Sequence, residues 1–114
     1  FAANNLCHDL FGSRLASVTN NFQNNALASY IATKNQYVLR YWIGGNRFVD
    51  GKNLMWHLVD QKPMNYQNWM PGEPNNLKGN ETCVEFIYDM RLTNSCKCGW
   101  NDNVCQKPFP FICE

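Results

Sequence analysis

The chain has 114 residues, 45% of them hydrophobic and 14% aromatic, which suits a single domain over 1–114 and leaves no room for a second. Ten basic residues nearly balance nine acidic ones without forming a Lys/Arg cluster. That excludes a disordered charged tail and a phosphate-binding face for nucleic acid, and the short apolar runs exclude membrane insertion. Phe1 opens onto a polar, Asn-rich stretch with no leader, which reads as a mature or trimmed chain.

Ala2, Ala3, Leu6, Cys7 and Leu10 recur at helical spacing and predict a first amphipathic helix, punctuated by Gly12-Ser13. Leu15 to Val18 is a short extended piece. Thr19-Asn20-Asn21 is an N-cap cluster that opens a second helix, carried by Phe22, Leu27, Tyr30 and Ile31 to about Lys34. Tyr41-Trp42-Ile43, stopped by Gly44-Gly45, reads as a buried strand, and Met55 to Val59 as another. Residues 60–82 are rich in Asn, Pro, Gly and Gln with no sustained period, the mark of a functional or metal-ordered loop in a compact domain. Cys83 to Tyr88 is a clear strand, and Gly99-Trp100-Asn101 and Phe109 to Cys113 are short extended pieces. Helices first and short strands after indicate an α+β domain.

Six cysteines in so short a chain point to an oxidising, extracellular compartment. Cys96-Lys97-Cys98 looks superficially like half a zinc site. Cys7, Cys83, Cys105 and Cys113 are scattered singly, however, and His8 and His57 lie far off in sequence, so disulfides are the better reading. Connectivity does not follow from spacing alone.

Oxygen donors gather in three places: Glu73-Pro74-Asn75, Glu81, and Asn101-Asp102 after Trp100. Hard cations such as calcium take roughly six to eight oxygens from carboxylates, amide carbonyls and water. Glu73, Glu81 and Asp102 would bring three negative charges and Asn75 and Asn101 two amide oxygens. If Cys83 bonds to Cys105, Glu81 and Asp102 are tied close together.

Taken in order, Cys7, Leu15-Ala16-Ser17-Val18, Trp42-Ile43-Gly44, Asn68-Trp69, Glu73-Pro74-Asn75, Cys83-Val84, Trp100-Asn101-Asp102, Cys105 and Phe111-Ile112-Cys113-Glu114 resemble a C-type lectin domain over the whole chain. The resemblance implies two helices packed on short antiparallel strands, with a long calcium-binding loop region. It implies Cys7–Cys113 and Cys83–Cys105 disulfides and a cis proline at Pro74. It also implies Ca2+ held by Glu73, Asn75, Glu81, Asn101 and Asp102. Glu73, Asn75, Glu81 and Asn101 would also touch the sugar. Neighbouring hydroxyls would then give the ion a lone pair each, donate a hydrogen bond to a carboxylate and accept one from an amide nitrogen. Glu-Pro-Asn resembles the mannose-type sequence, for mannose, N-acetylglucosamine, fucose or glucose, whereas galactose-type members carry Gln-Pro-Asp.

The chain departs from that family in three ways. It starts inside the first helix, where the family has a preceding strand. Asn46-Arg47 and Asn76 stand where some members carry acidic residues for auxiliary calcium ions. Cys96 and Cys98 have no counterpart in the two common bridges, and could join each other, a preceding segment or another chain.

Plainer roles fit several other residues. Trp42, Trp56 and Trp69 read as core, and Trp100 as packing beneath the site. His8 reads as a helix-surface residue, His57 as an outward strand residue, and Arg91 and Lys97 as solubilising charges. Asn80-Glu81-Thr82 is a glycosylation sequon, making Asn80 a candidate glycan position beside the site. A glycosidase acid–base pair would need an apolar pocket, but the carboxylates here have Asn, Gly and Lys as neighbours, so the chain reads as a non-enzyme. The sequence therefore predicts a secreted, calcium-dependent binder of glycans on glycoproteins, cells or microbial surfaces, useful as an oligomer because single-site affinity is on the order of millimolar. The competing expectation is a lectin-like domain whose partner is another protein.

Overall fold

The computed structural model describes residues 2–57 and 59–114. Helices α1 (Ala2–Phe11) and α2 (Asn21–Ala32) precede strands β1 (Val38–Asn46), β2 (Met55–Trp56), β3 (Lys62–Pro63), β4 (Cys83–Asp89) and β5 (Cys98–Asn103), with a 3-10 turn at Leu77–Gly79. The strands form one antiparallel sheet in the order β3-β2-β1-β4-β5. The α+β class expected from the sequence is the observed one.

Residues at the start of α2 explain why it begins there. Asn20 caps it by accepting from the Gln23 backbone N–H at 2.8 Å, and Gln23 Oε1 reaches back to accept from the Thr19 N–H at 2.8 Å. This reciprocal pair satisfies donors that the first turn otherwise leaves bare. The buried face of α2 is Asn24, Ala28 and Ile31, while Phe22 and Tyr30 are exposed. The expected stripe is thus rotated, because Asn24 goes inward to accept the Trp100 indole N–H at 3.0 Å. Similarly, only Cys7 of the expected α1 stripe is buried, and Leu10 is 64% exposed. A covalent bridge from Cys7 to Cys113 and a hydrogen bond from the Leu15 N–H to Asn4 Oδ1 at 3.1 Å dock α1, in place of an apolar face.

Strand β1 is longer than Tyr41–Ile43 because the Gly44-Gly45 pair bulges instead of ending it: the register with β4 slips between Ile43 and Asn46. Side chains would not fit there. A Cβ on Gly44 would lie 3.0 Å from the Ala16 and Leu15 carbonyl oxygens, and one on Gly45 would lie 2.8 Å from Met64 and Val84 side-chain carbons. Strand β2 is shorter than expected. His57 adopts φ 71°, which turns the chain, and Leu58 of the expected strand lies outside the described residues. His57 is also buried, not outward as expected.

The core centres on Trp100 and Trp56, both nearly inaccessible and packed edge-on at 5.4 Å, with Tyr66 and Trp69 edge-on to Trp100 at 5.9 and 5.5 Å. Edge-to-face geometry suits the ring quadrupoles and adds to area burial. Three disulfides tie the frame: Cys7–Cys113, Cys83–Cys105 and Cys96–Cys98. The last joins the two cysteines whose partners were open at the level of sequence. Among the described residues, no helix is long and apolar enough to cross a membrane.

Candidate functional site

The site grows from the β4–β5 pair. Val84 lies opposite Asp102, and the Cys83–Cys105 bridge closes the end of the pair. Glu81 enters β4 and Asp102 sits on β5, so the two carboxylates are brought to one end of the sheet. Residues 60–82 have little regular structure and are tied to the frame by individual backbone bonds. The Trp100 N–H donates to the Asn68 carbonyl at 2.7 Å, and the Met70 N–H donates to the Trp100 carbonyl at 2.8 Å. The Glu73-Pro74 peptide is cis, and Asn76 takes a left-handed conformation at φ 45°. Asparagine tolerates that region better than most residues.

Glu73, Glu81 and Asp102 each offer a carboxylate oxygen within 4.8 Å of the others. Asp102 is fully buried and the other two are half-buried. Asp102 Oδ1 accepts from the Asn75 N–H at 3.2 Å, and Oδ2 from the Asn76 N–H at 2.7 Å. Glu73 Oε1 accepts from the Asn75 N–H at 3.2 Å, and Glu81 Oε1 from the Leu77 N–H at 3.0 Å. Burial raises the Glu73 pKa to about 7, helped by the adjoining Asp102 carboxyl and the Glu81 charge against the opposing Asn75 N–H. Three crowded carboxylates of this kind form an all-oxygen donor set that fits a hard divalent cation such as calcium.

The remaining expected residues fall differently. Asn75 enters through its backbone N–H, as above. Asn101 turns its amide away: Nδ2 donates to Glu85 Oε2 at 2.8 Å, where Asn103 Nδ2 also donates at 2.7 Å. Successive strand side chains alternate faces, so Asn101 and Asn103 share the Glu85 face of β5 while Asp102 takes the other. Asn80 is exposed beside the cluster.

Two site residues escape a reading of the sequence. Arg47 is 6% exposed and donates from Nη2 to Asp102 Oδ2 at 2.6 Å. Glu85 is wholly buried and lies against Arg40, with Nε to Oε1 at 2.7 Å. Both are charged residues that composition assigns to the surface. A groove of about 470 Å³ is lined in part by Arg47, Lys52, Asn65, Trp69 and Pro74.

Residues 1–114 match the family described as the lectin C-type domain. Perlucin from Haliotis laevigata is 39% identical over 103 residues, covering 90% of this chain and 61% of its own length. A C-type lectin mannose-binding isoform from Oxyuranus scutellatus is 37% identical with the same coverage. The chain therefore spans about three fifths of the length of these relatives. Among solved structures, the carbohydrate-recognition domain of the mouse scavenger receptor C-type lectin superposes with a TM-score of 0.78 at 25% identity, covering 98% of this chain and 78% of that one. The cow CD23 carbohydrate-recognition domain, solved in the presence of a GlcNAc2Man3 oligosaccharide, gives 0.71 at 26% identity, covering 97% and 74%.

Proposed function

The chain belongs to the C-type lectin domain family, and from that premise we propose that its 114 residues act as one secreted domain that binds mannose-type sugars through a calcium ion. Members of this family are typically carbohydrate binders without catalytic activity. The observation that carries the reading is the convergence of Glu73, Glu81 and Asp102 within 4.8 Å. Asn75 and Asn101 complete the proposed ligand set. Bound there, the ion supplies positive charge that polarises neighbouring sugar hydroxyls.

The chain's own groups do the rest. Glu73 and Glu81, held ionised by the bound cation, would accept hydrogen bonds from the hydroxyls, and such bonds are about twice as strong as neutral ones. Asn75 donates from its side-chain amide to a hydroxyl oxygen. Asn101, whose Nδ2 is held by Glu85 on the face of β5 opposite Asp102, would have to turn to bring its Oδ1 to the ion. The Glu73-Pro74-Asn75 order and the mannose-binding name of the Oxyuranus scutellatus relative support equatorial 3- and 4-hydroxyls as the target. Contacts of this exposed kind are weak one at a time, so several copies on one assembly would engage glycans on glycoproteins, cells or microbes.

The test is a mannose resin. The chain should be retained with calcium and released by EDTA, and E73Q/N75D should shift retention toward galactose. Retention that EDTA leaves unchanged would refute the mechanism.

A further inference from the structure

We propose that Arg47 is a built-in counter-cation of the carboxylate cluster: it holds the site in shape without metal and, by doing so, weakens its hold on a divalent ion. This rests on the calcium reading above and concerns how tightly that same site binds.

Arg47 is placed to do this by four bonds. Its N–H donates to the Thr82 carbonyl at 3.0 Å, one residue from Glu81, and its carbonyl accepts from the Gly51 N–H at 2.9 Å. Its guanidinium spans the space between, with Nη1 donating to the Lys52 carbonyl at 3.2 Å and Nη2 to Asp102 Oδ2 at 2.6 Å. The side chain is 7% exposed and that of Asp102 is 0% exposed, so water screens this pair poorly. One residue thus joins the end of β1, the entry to β4 and the buried carboxylate of β5.

Charge counting gives the consequence. Glu73, Glu81 and Asp102 can bring three negative charges, and Arg47 cancels one of them permanently because a guanidinium does not lose its proton in proteins. A divalent ion then brings the cluster to neutrality. Without Arg47 the same cluster would keep a net negative charge even with the ion bound, and without the ion it would carry its repulsion uncompensated. Arg47 therefore favours the metal-free form more than the loaded one. A residue of merely structural importance would stabilise both alike and leave ion affinity unchanged.

The experiment compares the parent with R47Q, using calcium chloride as the probe. Calcium affinity is read by calorimetry and loop order by Lys-C cleavage at Lys78, which is exposed in the 3-10 turn. R47Q should bind calcium on the order of tenfold more tightly, as expected when a unit charge beside a divalent ion is removed. In EDTA it should also be cut at Lys78 several-fold faster than the parent, and calcium should restore protection. Equal or weaker calcium binding by R47Q overturns the inference while leaving the calcium reading intact. A parent that shows no calcium response overturns both. If R47Q does not fold even with calcium, R47K, which keeps the charge, decides: affinity within about threefold of the parent with the Lys78 site protected in EDTA supports the role, and any larger change in either overturns it.

Discussion

Glu85 offers the sharpest test of how the site's frame is held. Its carboxylate is 0% exposed, and Oε2 accepts from Arg40 Nη2 at 3.0 Å, Asn101 Nδ2 at 2.8 Å and Asn103 Nδ2 at 2.7 Å. Glu85→Gln keeps the shape and removes the charge. A hydrogen bond to a charged group contributes about 1 kcal/mol more than a neutral one, which gives about 2 kcal/mol for the two asparagines. The Arg40 pair adds less, since that side chain is 40% exposed and solvent screens it. The total is about 2–3 kcal/mol. For a domain of this size a loss of 1 kcal/mol lowers Tm by about 4 °C, so E85Q should melt roughly 8–12 °C below the parent in EDTA. R40M should cost about 1 kcal/mol or less and add little on top of E85Q. An E85Q midpoint within about 2 °C of the parent would mean that the charge contributes nothing to holding Asn101 and Asn103, and the reasoning would fail.

Two other perturbations follow from particular contacts. Burial lowers the His57 pKa, Arg14 and Lys62 push it down further, and Glu114 and Asp60 oppose them. The folded chain therefore holds His57 neutral, while the unfolded chain takes up a proton as pH falls through about 6.5. Stability should drop below that pH until the folded pKa is passed. His57→Asn, which tolerates the positive φ, should lose less stability than the parent between pH 7.5 and 5.5 in urea titrations, and parallel losses would refute the assignment. At Gly99, a Cβ would lie 2.6 Å from Met70 Sδ and 3.1 Å from the Met70 backbone nitrogen. The sulfur can move but the backbone is tied to Trp100, so Gly99→Ala should cost about 1–3 kcal/mol. An unchanged urea midpoint would show that β5 and Met70 are less closely packed than described.

The sequence announces Cys83–Tyr88 as a strand because its apolar and aromatic residues form one run, and β4 covers Cys83–Asp89. It mistakes Gly44-Gly45 for a stop because glycine serves both to end a strand and to let one bulge, and only a neighbouring backbone decides between them. It assigns the wrong face to α2 because an asparagine is counted as polar, whereas Asn24 satisfies a tryptophan 76 residues away. The three carboxylates are legible as a group because each sits at a fixed step from a cysteine or from Pro74. Arg47 and Glu85 are not. Their partners come from strands paired across the sheet, 55 residues away for Asp102 and 16 away for Asn101, and no local pattern marks a charge as buried. The pairing of Cys96 with Cys98 is likewise a matter of three-dimensional placement.

The segment from Met70 to Thr82 leaves the framework at the Met70–Trp100 backbone bond and rejoins it at the Arg47–Thr82 one. Most of the side chains between these clasps face water. Mutations there can accumulate without disturbing the packing of Trp56 and Trp100, so the recognition chemistry of such a scaffold can diversify faster than the scaffold itself.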